Sequence, residues 1–175
     1  MLLEECVPPV PDITKDEALA RLARNYFRSH TPATLQDFVW WSGLSVTEAK
    51  QGIYLIGCEL TEEQWKGQTW YLHESGRTRG SIKGHIQFLP PYDELLLGYK
   101  DRTDVLPSEH YSKAFTGNGL FFPVILYEGQ IVGNWDRKVK RNGCAPEYSL
   151  FRQESRIDEA LLDKAQQQYM QFLGK

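Results

Sequence analysis

An α+β fold in two units is what this sequence predicts, and three observations carry the prediction. Helix-capping pairs open three successive segments between residues 14 and 48. A Trp-rich stretch with a Lys-Gly turn follows them. From residue 119 onward, short apolar runs alternate with two-residue turn signals and give way to an amphipathic helix. Three helices and then a hairpin is the order of a winged helix-turn-helix. The later runs suggest a small antiparallel β-barrel or meander with a C-terminal helix. The expected division is an extended lead-in over 1–13, a winged-helix unit over 14–78 and a β-rich unit over 79–175.

Residues 1–13, MLLEECVPPVPDI, are Pro-rich and aperiodic. Thr14 and Glu17 form a capping box for the first helix, each side chain taking the other's free backbone N–H. Leu19, Leu22, Ala23, Tyr26 and Phe27 recur at three- and four-residue spacing, which is one buried face. Pro32 ends that helix. Thr34 with Asp37 opens the second, whose buried side is marked by Phe38 and Trp41. Gly43 then turns the chain, being free to take a positive φ. Ser45 with Glu48 opens the third, with Val46, Ala49 and Ile53 on its inner stripe. Each such cap contributes on the order of 1 kcal/mol. Trp65, Trp70 and Tyr71 favour strands on either side of Lys66-Gly67, which makes this hairpin the wing.

In the second half, residues 84–102 are an apolar stretch broken by Pro90 and Pro91, and a short helix is expected over 107–115. Strands are expected at 119–127, 130–141 and 147–153, joined by turns at Glu128-Gly129 and Asn142-Gly143. Ser155 and Asp158 cap the last helix, which gathers Ile157, Leu161, Leu162, Ala165, Tyr169 and Phe172 on one face.

The chain has 175 residues, 41% hydrophobic and 25% charged, enough for a buried core and against disorder. Its net charge is −3 and its pI about 5.8, so the overall field does not attract nucleic acid, and any such affinity must come from local patches. No apolar run approaches the ~20 residues that span a bilayer. No charged-then-apolar leader opens the chain, so a cytoplasmic location is expected and no membrane partner. Cys6, Cys58 and Cys144 lack metal-ligand spacing and read as reduced thiols. His30, His73, His85 and His110 are dispersed. Neither a metal nor a cofactor is expected.

Basic residues cluster twice. Arg77, Arg79 and Lys83 lie in a Gly- and Ser-rich loop, and Arg137, Lys138, Lys140 and Arg141 surround the Asn142-Gly143 turn. Seven such cations on phosphates would give a log–log salt slope of roughly −6. The alternative is a solvated loop and a solvated hairpin tip. The third helix offers Ser45, Thr47, Glu48, Lys50 and Gln51 outward. Gln51 suits adenine and Lys50 suits guanine or phosphate, while Glu48 repels a phosphate backbone. Asp93, Glu94, Asp101 and Arg102 fall in one segment, where carboxylates serve either acid–base work or caps and ion pairs. Gln166 and its two neighbours read as a solvent face of the last helix.

Three stretches carry a family resemblance: YFRSHTPATLQDFVWWSGLSVTEAK, LPPYDELLLGYKDR and VILYEGQIVGNWDRK. Over residues from about 15 to 155 the chain resembles the bacterial winged-helix DNA-binding family that includes the AlkZ/YcaQ-like DNA glycosylases, which unhook interstrand crosslinks. The resemblance implies the last winged helix and the β-barrel of a longer protein. It implies double-stranded DNA as partner, bound without sequence specificity, and as further partner either an N-terminal half or another protein. The family's catalytic Gln-x-Gln or Gln-x-Asp motif belongs to its N-terminal part and has no positional match here, so catalytic residues stay unassigned and the chain is not expected to excise bases alone. Asp93-Glu94 and Asp101-Arg102 match the family signature by position, in a structural or DNA-facing role. The alternative to DNA binding is a protein-interaction module.

Overall fold

A computed structural model describes residues 12–76, 80–140, 143–151 and 157–173, with the side chains of 139, 140 and 143–145 also outside the description. The chain divides into two compact units, Met1–Thr78 and Arg79–Lys175.

In the first unit the order is α1 (Lys15–Ser29), β1 (Ala33–Thr34), α2 (Leu35–Ser42), α3 (Val46–Leu55), β2 (Leu60–Trp65) and β3 (Gln68–His73), with a 3-10 turn at Gly57–Glu59. The strands form an antiparallel sheet in the order β1-β3-β2. Leu19, Ala23, Tyr26 and Phe27 line the buried face of α1, as their spacing predicts. They meet Phe38 of α2 and Ala49 and Ile53 of α3, and each large side chain so buried contributes about 1.5–3 kcal/mol. Gly52 lets α1 and α3 approach: a Cβ there would lie 3.1 Å from the Leu19 carbonyl oxygen. Gly43 caps α2 at φ 69°, and Lys66 (51°) and Gly67 (72°) carry the β2–β3 turn.

The caps differ in completeness. Thr34/Asp37 and Ser45/Glu48 are full boxes. At Thr14 only half the box forms, because the Glu17 carboxylate turns to Arg21 at 2.6 Å. Three positions expected inside are not, one of them Phe172 in the last helix, which is 85% exposed. Val46 is exposed, since it opens α3 before the helix meets α1, and Trp41 lies at the rim against Tyr26, over a third exposed. Glu48 is held by Ser45 and by Lys15 at 2.7 Å. Hydrogen bonds from Lys15 and then from Ser45 lower its carboxyl to about 2.

The second unit runs β4 (Ile86–Leu89), α4 (Glu94–Leu97), a 3-10 turn at Ser108–His110, α5 (Tyr111–Ala114), β5 (Val124–Tyr127), β6 (Gln130–Lys140), β7 (Gly143–Leu150) and α6 (Glu159–Phe172). The sheet is an antiparallel meander, β4-β5-β6-β7, and among the described residues it does not close into a barrel. The reason is that both faces are covered already. Ile86, Ile125 and Trp135 pack under Leu162 and Ala165 of α6, while Val124 and Ile131 pack against Leu96, Leu106 and Ala114 from the segment between β4 and β5. A strand covered on both sides reads as a continuous apolar run, which is why Val124–Tyr127 lacks alternation.

Strand β4 and helix α4 hide in the sequence on either side of Pro90-Pro91. The expected Glu128-Gly129 turn is present, with Glu128 at φ 48° and Gly129 at φ 80°, as a two-residue hairpin loop of type I′ demands. At the next hairpin Gly143 sits in β7 opposite Lys140, not in the turn, and Asn142 lies outside the described residues. Asp158 caps α6, and Ser155 lies outside the described residues. Gln166 does not face solvent freely; it donates to the Pro146 carbonyl at 3.2 Å.

A Cβ at Gly133 would stand 2.5 Å from the Ser149 carbonyl oxygen and 3.1 Å from Leu150 Cα, both backbone of β7. Gly133→Ala should therefore cost ~1–3 kcal/mol in urea unfolding, and a change below ~0.5 kcal/mol would contradict this. Glu48 has a depressed folded pKa, so its favourable contacts are present above its usual value of 4.5 and vanish as pH falls towards about 2. Glu48→Gln should lower Tm near neutral pH, with the difference closing over that acid range; a pH-independent difference would refute the linkage.

Candidate nucleic-acid interface

The outward side of α3 is set by the inward one. Ala49, Gly52 and Ile53 face α1, which leaves Thr47, Lys50, Gln51 and Tyr54 in solvent. Tyr54 is 78% exposed. Glu48, the carboxylate expected to repel a phosphate backbone, is engaged at the helix start by Ser45 and compensated by Lys15. The solvent face of α3 therefore presents the cation of Lys50 beside the amide of Gln51, with the Glu48 carboxylate engaged by Ser45 and Lys15.

The β2–β3 hairpin is mixed in charge. Glu62 and Glu63 are exposed along β2. At its tip the Lys66 ammonium lies 4.2 Å above the Trp65 ring, and Trp70 meets that ring edge-on at 5.5 Å. The Trp70 indole N–H also donates to the Trp65 carbonyl at 3.3 Å. This cation–aromatic tip was open to sequence reading, because Trp-Lys-Gly spans a two-residue turn. At the hairpin's base the Arg24 guanidinium grips both oxygens of Glu59 at 2.8–2.9 Å, and His73 approaches the same carboxylate at 3.4 Å. Arg24 first, and His73 after it, hold the Glu59 carboxyl below its ordinary range against a desolvation that pushes it up.

The two basic clusters look different once placed. Of the loop cations, Lys83 is exposed, and Arg77 and Arg79 lie outside the described residues. On β6 successive side chains alternate between faces. Trp135 is buried under α6, so Arg137 shares its face, and Asp136 and Lys138 take the opposite one. Glu147, paired with Asp136 across the ladder, is on that opposite face as well and binds Lys138 at 2.7 Å. Glu147 and then Asp136 raise the Lys138 pKa. Arg137 and Lys138, adjacent in sequence, are thus divided in space, and Lys138 is neutralised by a neighbouring carboxylate. Asn134, Asp136, Lys138, Glu147, Tyr148 and Ser149 border a shallow, open depression of about 240 Å³ on this sheet. Lys140 ends β6, its side chain outside the description, and Arg141 lies outside the described residues.

Two carboxylates of the signature segment, Asp93 and Asp101, are occupied in backbone work. Asp93 caps α4, its Oδ1 accepting the Leu95 N–H at 3.0 Å. Glu94 is exposed in the first turn of that helix. Asp101 Oδ1 accepts from the Thr103 N–H at 2.9 Å and hydroxyl at 2.7 Å. Arg102 is buried, donates to the carbonyls of Leu96 and Lys100, and lies over the rings of Phe115 and Phe121. Among the described residues no three His, Cys, Asp or Glu side chains come together in a metal-binding group, and no helix is long and apolar enough to cross a membrane.

The family model described as "DNA glycosylase AlkZ-like" matches residues 2–172. A Streptomyces sahachiroi protein named interstrand DNA cross-link repair glycosylase is 28% identical over 128 residues, which is 69% of this chain and 34% of that protein. The solved structure of S. sahachiroi DNA glycosylase AlkZ shares the fold, with a TM-score of 0.73 at 24% identity over 89% of this chain and 43% of that one. The chain spans about a third of the curated relative's length. With a match that runs through both compact units, this chain belongs to the AlkZ-like DNA glycosylase family.

Proposed function

We propose that this chain is the DNA-gripping portion of an AlkZ-like glycosylase, or a shortened relative of one, holding duplex mainly through phosphate and shape. The support is the family match through both units, in a family named for DNA glycosylases. In this reading residues 14–78 act as a winged helix, with α3 as the helix laid on DNA and β2–β3 as the wing. Lys50 and Gln51 meet the duplex, and Arg77, Arg79, Lys83, Arg137, Lys140 and Arg141 meet phosphates. Residues 79–175 act as the second gripping domain. A glycosylase extrudes its target base and must hold the distorted duplex while doing so, which calls for a clamp without sequence preference. Asp93 and Asp101, engaged as caps of local backbone, are assigned no part in base removal.

A protein-interaction role is the second reading, favoured by the exposed Glu62 and Glu63 on the hairpin and by exposed Trp40 and Tyr54. A fluorescence-anisotropy titration with duplex DNA separates the two. DNA gripping predicts binding at low salt that weakens steeply as salt rises, and alanine at Arg137, Lys138, Lys140 and Arg141 together flattens the log–log slope by roughly 3. Lys138→Ala alone should move the slope by less than about half a unit, because Glu147 already neutralises that ammonium. No binding at low salt, together with co-purification of a protein partner, selects the second reading.

The chain by itself is expected to release no alkylated base above background. Base release that disappears in Asp93→Asn would overturn that assignment and place Asp93 in the chemistry.

A further inference from the structure

Among the described residues, three that are not glycine take a left-handed backbone: Lys66 at φ 51°, Tyr92 at 61° and Glu128 at 48°. Lys66 and Glu128 each stand before a glycine in a two-residue hairpin loop, where positive φ at both positions is the requirement. Tyr92 has no such reason. It stands between Pro91 and Asp93, in the turn that leaves β4 and enters α4. A positive φ after proline is the place where turns ordinarily put Gly or Asn, and for a bulky side chain it is an outlier.

The strain is not offset by burial, since Tyr92 remains 50% exposed. Everything beneath it is fastened. Pro91 fixes the φ before it. Asp93 takes the Leu95 N–H on its carboxylate and the Leu96 and Leu97 N–H groups on its carbonyl, at 2.9–3.2 Å. The buried Arg102 ties the Leu96 carbonyl to the faces of Phe115 and Phe121. The Tyr92 ring rests on Phe121, centroids 5.9 Å apart. The signature segment is in this sense a rigid mount for one uncharged, half-exposed aromatic ring. Strained residues held by an over-determined surround concentrate where a protein meets its ligand.

Resting on the DNA-gripping reading above, we infer that Tyr92 is a DNA-contacting residue whose ring stacks on a base unstacked from the duplex. A flat π-face accepts any base, which suits a clamp without sequence preference. It also gives this unit a contact that salt does not screen, unlike the cations of the loop and hairpin.

The test uses the full chain and two labelled duplexes, one intact and one with a single unpaired base. Tyr92→Ala should weaken binding to the bulged duplex about tenfold while leaving its salt slope unchanged, and Tyr92→Phe should bind within about twofold of the parent. Tyr92→Gly should bind as weakly as Tyr92→Ala yet melt at a higher temperature, because both lose the ring and only glycine relieves the backbone. Parental affinity in Tyr92→Ala, with the parent binding DNA, overturns this inference alone. Absence of DNA binding by the parent removes both it and the reading it rests on.

Discussion

The burial of Trp135 fixes the placement of everything that β6 carries. Its indole lies between Phe88 and Tyr169, and its N–H donates to the Leu89 carbonyl at 2.7 Å. A strand so anchored cannot slip by one residue without turning its whole apolar set to solvent. Gly133, two residues earlier, completes the constraint, because only the absence of a side chain lets β7 approach there. With that register set, Arg137 falls on the helix-covered face and Lys138 among Asp136 and Glu147. The charge pattern of this hairpin is therefore a consequence of core packing. A basic run on a strand is two half-density stripes, never one patch.

In the first unit the same economy governs electrostatics. Cations and carboxylates near the helical surface are largely matched: Arg21 with Glu17, Lys15 with Glu48, Arg24 with Glu59. Exposed pairs of this kind contribute little to stability, a median of about 0–1 kcal/mol. Their larger effect is on the field. By engaging Glu48 at the start of α3 and leaving Lys50 and Gln51 outward, the unit lessens the repulsion its acidic composition would bring to a polyanion. The acidic net charge of the chain and a DNA-facing helix are compatible on these terms.

Much of this was legible in the residues themselves. Gly43, Lys66-Gly67 and Glu128-Gly129 are turns whose backbone demands are local, so the sequence states them directly. Caps at Thr34 and Ser45 are local too. What escaped was decided by competition between neighbours or over longer range. Glu17 was drawn from its cap by Arg21, a competitor one turn away. Val46 and Trp41 have apolar side chains, but their burial depended on where α3 meets α1 and how α2 packs against Tyr26. Pro90-Pro91 read as a break and is in truth the joint between β4 and α4. The barrel alternative gave way to an open meander because α6 and the segment between β4 and β5 cover both faces. The division of the β6 cations was open to reading, since strand alternation alone implies it. The family signature announced itself by residue identity, while the roles of Asp93 as a cap and Arg102 as a buried tie needed coordinates.

The claim on which the functional account stands is that duplex DNA covers named cations on both units. Lysine modification read by mass spectrometry, with and without duplex DNA, tests it most directly. Protection of Lys50, Lys83 and Lys140, with Lys164 on the outer side of α6 unchanged, is the predicted result. Equal reactivity of all four lysines in the presence of saturating DNA would contradict it.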